Sequence, residues 1–178
     1  MATLAASIAA LVTARKSLAA RPKWNEDSNP RYLEFVAPLA TNGMIVGGFE
    51  LRAKVSKLHV DRDAIFQLEY APAGRKRVEL YRCCWRPLHI HTNKLWGPPG
   101  YAGARFIKQS HHHPFIDNWL PNELRMRAGS LPGARPINPD PPTLSEFIAF
   151  CGECFRINNI DIISVPLRNA DLFWSPDG

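Results

Sequence analysis

The 178-residue sequence predicts an α+β fold: an antiparallel β-meander sheet packed by an N-terminal and a C-terminal helix, with a long Pro/Gly/His-rich loop. Three observations predict it. Apolar and polar residues alternate strictly in one stretch, two aromatic-rich runs flank a Pro/Gly turn, and a helix-capping pattern follows two prolines. A chain of this length accommodates one core. Its composition, 46% hydrophobic and 21% charged, excludes a disordered polymer. The expected organisation is an N-terminal helix and linker over 1–30, a single α+β domain over 31–170, and a tail over 171–178.

Taken in order, "MATLAASIAALVTARKSLAARPKW" lacks acidic residues and places Leu4, Ile8, Leu11 and Leu18 on one helical stripe. "RYLEFVAPL" is an extended apolar run that Pro38 interrupts or ends. In "FELRAKV", Phe49, Leu51, Ala53 and Val55 share one face and Glu50, Arg52 and Lys54 the other, the period of a half-buried strand. Leu58 and Val60 reverse that parity, so a bulge is expected near Ser56 and Lys57. "IFQLEY" and "RVELYRC" around "APAGRK" read as a hairpin, and "LHIHT" as the next strand of the meander. Gly97, Pro98, Pro99, Gly100 and Gly103 then announce the loop. Thr143 and Glu146 form a capping box at the start of "TLSEFIAFCGECFRI", and "DIISVPL" reads as a closing edge strand.

Charge is unevenly placed. Ten basic and four acidic residues lie between Leu51 and Lys94, whereas two basic and six acidic lie between Pro136 and Gly178. A basic half of this kind attracts polyanions or acidic proteins. No apolar run reaches the roughly 20 residues a membrane span requires. Adjacent Cys83 and Cys84, with Cys151 and Cys154, make a poor disulfide framework, and a reducing, cytoplasmic setting is expected.

Five of the six histidines lie between His89 and Pro121. His89 and His91 have the spacing that puts two imidazoles on one strand face, a common start for a metal site that His111, His112 or His113 would complete. The same residues suit metal-independent RNA cleavage, with imidazoles as base and acid and arginine on the phosphate. The expectation adopted is the second: His91, His112, His89 and Arg82 as catalytic residues, with no metal and no cofactor. Arg75, Lys76, Arg77, Arg86, Trp85, Trp96 and Trp119 are expected to bind nucleic acid or a partner. Cys151 and Cys154 are expected to be buried and inert, because a C-x-x-C late in a helix lacks the dipole that activates such thiols.

The succession "LYRCCWRPLHIHTNK", "HHHPFIDNWLP" and "TLSEFIAFCGECFRINNI" resembles a small uncharacterised domain family of bacteria and their phages, over roughly Ile65 to Leu167. That family is distantly similar to the toxin component of small toxin–antitoxin pairs. The resemblance implies RNA cleavage and sets His89, His91, Asn93, His112, Asp117 and Trp119 on recurring positions, with Arg82 as the strand-borne basic residue. The function expected is an RNA-engaging, RNA-cleaving toxin-like protein. The alternative is a non-enzymatic protein-binding module, an inhibitor or accessory subunit, that uses its basic and aromatic loop surface. Partners are then RNA or another protein, and not a membrane.

Overall fold

The computed structural model describes residues 4–71, 76–119 and 131–167. Helix α1 (Leu4–Thr13) precedes short strands β1 (Ser17–Leu18) and β2 (Asn25–Glu26). The long strands β3 (Tyr32–Thr41), β4 (Met44–Ser56), β5 (Ala64–Tyr70) and β6 (Val78–Trp85) follow as an antiparallel meander. Next come β7 (Ile90–Thr92), β8 (Arg105–Ile107), β9 (His111–His113), the short helix α2 (Phe115–Asn118), β10 (Arg135–Pro136) and helix α3 (Leu144–Phe155). The main sheet runs β1-β3-β4-β5-β6-β9-β10, with β2 also on β3, and every pairing in it is antiparallel. The α+β class and the antiparallel sheet are as the sequence predicts.

The two faces of this sheet have different roles. Phe49, Leu51, Ala53, Val55, Phe66, Leu68, Cys83 and Trp85 line the core face, where Phe147 of α3 stacks on Trp85 and meets Phe66 edge-on. Helix α3 starts where predicted: the Thr143 side chain accepts from the Glu146 N–H and the Glu146 side chain returns to the Thr143 backbone. A register shift in β5–β6, opposite Leu68 and Glu69, lets Leu80 and Tyr81 both follow the core side. Past that bulge Arg82 and Cys84 point to the other face.

Four expectations are revised. Leu18 lies on β1, outside the helix, because the chain leaves α1 after Thr13 and the buried Lys16 ammonium bonds the Val12 and Ala14 carbonyls. No bulge carries β4 past Ser56. The Ser56 hydroxyl accepts from the Leu58 and His59 N–H groups, turning the chain and leaving Leu58 and Val60 exposed. "DIISVPL" begins inside a 3₁₀ turn, Ile160–Ile162, and forms no strand. The segment "LHIHT" leaves the meander: β7 pairs only with β8, in a separate two-stranded sheet, and β9 takes the place beside β6. The predicted tail, 171–178, lies outside the described residues.

Candidate metal centre

β9 is an H-H-H run in extended conformation, so its side chains alternate faces. His112 pairs with Cys83 and faces the core, where its Nδ1 lies 2.8 Å from the Tyr81 hydroxyl and its ring meets Phe150 of α3. His111 pairs with Cys84 and His113 with Arg82, on the opposite face. There the β7–β8 hairpin folds over them as a flap. Its cross-strand pair His91 and Phe106 supplies the underside, with ring centroids 5.3 and 5.1 Å from that of His111.

Donor atoms of Cys84, His111 and His113 all lie within 4.8 Å of one another, and all three residues are buried. His111 Nδ1 donates to the Gln109 carbonyl at 2.8 Å, which leaves Nε2 as a lone pair; that atom is buried without a hydrogen-bond partner. The His113 ring donates to the Leu131 carbonyl, and its Nδ1 is likewise buried and unpartnered. An unpaired buried polar atom ordinarily costs about 1–3 kcal/mol. Two of them converging with a thiol could hold a metal ion.

His91 lies next to this set, but its ring nitrogens are not among the donor atoms that all lie within 4.8 Å of one another. Its Nε2 donates to the Asn93 Oδ1 at 3.0 Å and to the Pro132 carbonyl at 3.2 Å, so Nδ1 is the nitrogen left to coordinate. The centroids of His91, His111 and His113 are separated by 5.3, 4.7 and 5.1 Å. Imidazoles bound to one tetrahedral zinc, at Zn–N distances of about 2.0 Å, hold their ring centres about 5 Å apart. The three ring centres have that spacing, while the donor atoms already in mutual reach are those of Cys84, His111 and His113.

The orienting layer is built from two buried asparagines. Asn93 accepts from the Ala134 N–H and donates to the Ala134 and Tyr101 carbonyls; Asn118 accepts from the Gly133 N–H and donates to the Gly133 and Pro114 carbonyls. Together they fix the segment 131–134, whose Leu131 and Pro132 carbonyls hold His113 and His91. Burial, reinforced by the neighbouring cationic groups, pulls His111 down to about 4 and His113 well below the ordinary imidazole value. Both rings are therefore neutral at pH 7, the state in which an imidazole nitrogen is able to bind a metal. Burial pushes the Cys84 thiol up to about 12, so a bound cation would have to supply the charge that stabilises its thiolate.

The structure separates the proposed acid and base. His91 and His112 sit on opposite faces of the sheet and cannot converge on one phosphodiester. His89 is exposed at the rim, with its centroid 6.4 Å from that of His111. Arg82 is engaged with Gln67, at 2.7 Å, and with Glu79. Arg86 forms a clip, bonded to Asp140 and to the Asp61 and Pro141 carbonyls. Trp85 and Trp119, expected at a binding surface, are core residues stacked on Phe147 and Phe115, because their strand and helix parities point inward. Lys76, Arg77 and Trp96 are exposed, with Arg77 bonded to Glu69; Arg75 lies outside the described residues. His111 and His113 are candidate metal ligands in the sequence but not among the catalytic residues expected from it, Cys84 is weighed there only as a partner of the C-x-x-C pair, and Asn118 carries no sequence signal. The signal available was a second H-x-H, His111 and His113, concealed in the H-H-H run.

The remaining thiols lie between sheet and helix. Cys83 touches Cys151 and Cys154, and burial raises Cys83 and Cys151 above their ordinary value of 9.0. Contact with Cys83, then burial, raises Cys154. A raised folded-state pKa contributes stability that is fully present below about pH 9 and lost as pH rises past it. Lys16, lowered by burial to about 8 from 10.5, acts in the opposite sense over that interval, but with Cys84 included it is one group against four. The urea midpoint should therefore fall between pH 8.5 and 10.5, as read by circular dichroism, and fall less in Cys151→Ala. An unchanged midpoint in the parent protein would contradict the burial of these thiols.

Among the described residues no helix is long and apolar enough to cross a membrane. Comparison with family models, curated proteins and solved structures finds no match.

Proposed function

We propose that this protein is a zinc-stapled binding module, in which Cys84, His91, His111 and His113 hold one zinc ion and the ion fastens the β7–β8 flap to the sheet. The observation that carries this reading is the pair of unpartnered, fully desolvated nitrogens of His111 and His113 meeting the Cys84 thiol. Zinc fits a tetrahedral set of one thiolate and three neutral imidazoles. Each histidine donates its other N–H to a backbone carbonyl or to Asn93, the orienting layer that metal-binding histidines require. A modest turn of the His91 ring toward the other three donors would give four protein ligands and close the coordination sphere. A closed sphere is the mark of a structural centre, whereas a hydrolytic centre keeps a position for water. The ligands also divide by origin: three come from the sheet and its register, and His91 alone from the flap.

Elemental analysis of protein purified without chelator should give one zinc per chain. Cobalt(II) in its place should show the visible bands of tetrahedral coordination and a near-ultraviolet thiolate charge-transfer band, with the latter lost in Cys84→Ser. Metal-free protein that takes up no zinc, or an octahedral cobalt spectrum, refutes the proposal.

A further inference from the structure

The outer surface of the flap plays no part in holding the ion. Ile90 and Ile107 are cross-strand partners on that side, 50% and 55% exposed, and Leu88, Leu95 and Trp96 extend the apolar surface at 46%, 89% and 51%. Lys94, Arg105 and Lys108 are exposed beside them, and no carboxylate among the described residues pairs with these three. No aspartate or glutamate occurs in the sequence from Leu80 to Ile116. Most other cations on the sheet already have acidic partners, as in Arg52 with Glu34 and Glu69, Lys54 with Asp27, and Arg82 with Glu79. The flap is thus apolar, cationic and without internal charge compensation. Clustered exposed apolar side chains of this kind mark interaction sites.

We infer that the flap docks an acidic, extended segment of a partner protein that carries alternating apolar side chains. This rests on the binding-module reading above, though not on the identity of the ion. Charge complementarity supplies the sign of the partner. The apolar residues supply its class: four of the five exposed side chains are aliphatic, and unpaired bases need aromatic faces on which to stack. The geometry supplies its form. β7 and β8 make a sheet of two strands that no third described strand joins, so each outer edge offers backbone groups to an added strand.

A fluorescent peptide of alternating glutamate and isoleucine is the probe, read by anisotropy on zinc-loaded protein at low salt, with oligouridine and phosphatidylserine vesicles as competing ligands. The peptide should bind, and should bind at least about tenfold more weakly to the Lys94→Glu/Arg105→Glu/Lys108→Glu and Ile90→Ser/Ile107→Ser variants. Zinc content should stay unchanged in both, showing that the flap remains in place. Absent binding, binding indifferent to the variants, or tighter binding of oligouridine or vesicles overturns the inference. A chain that binds the peptide without holding zinc would sink the metal proposal alone.

Discussion

Stripping the ion with a chelator should lower the melting temperature by about 8–16 °C. Metal held only by the folded chain adds about 4 kcal/mol at a thousandfold excess over its dissociation constant, and a chain of this size shifts by about 2–4 °C per kcal/mol. The loss should be local as well as global. β4 and β5 are paired antiparallel on both sides and packed on a desolvated aromatic core, so their amides should keep their protection against hydrogen exchange. The flap rests on two short strands with three paired residues each, and it is held to the rest of the chain by His91 and Phe106 over His111 and by Asn93 on Ala134. Its amides from Ile90 to Ile107 should exchange much faster in the metal-free protein and regain protection when zinc is restored. Identical melting curves with and without chelator, on protein shown to lose its metal, would remove the stapling role.

The elements legible in the sequence are those whose signal is local. The Thr143/Glu146 capping box and the alternation of Phe49 to Val55 involve neighbours a few residues apart, and both appear as read. What stayed hidden depends on pairing over distance. Nothing local distinguishes "LHIHT", which leaves the sheet, from "SHHHP", which enters it. The strand beside β6 is chosen by how Cys84 meets His111, 27 positions further along the chain. The bulge at Leu80 compounds the difficulty, because one extra residue moves Cys84 from the core side to the flap side. The histidines were legible as a cluster for the same reason that their partners were not: spacing shows that two rings share a strand face, but not which thiol lies across from them. Trp85, next to Arg86, and Trp119, close to the histidine cluster, misled because an aromatic in such company reads alike whether it packs inward or faces solvent.

Asn93→Ala should weaken zinc binding about 10–100-fold, the usual cost of removing a group that orients a metal-bound histidine. The side chain is 3% exposed and makes four hydrogen bonds: to His91 Nε2, to the Ala134 N–H, and to the Tyr101 and Ala134 carbonyls. Truncation frees the His91 ring to rotate and leaves buried backbone groups unpaired, at about 1–3 kcal/mol for each group that water cannot reach. A purely structural asparagine would lower stability and leave the affinity of the refolded protein for zinc unchanged. Asn93→Asp separates the two roles. Its carboxylate retains the acceptor for His91 and the Ala134 N–H but cannot donate to the two carbonyls. Melting should stay depressed in both variants, while competition titration against a zinc chelator should show the affinity of Asn93→Asp returning toward that of the parent. Equal losses of affinity in the two variants would mean that Asn93 acts by holding the 131–134 segment, and that the orientation of His91 is set by the Pro132 carbonyl instead.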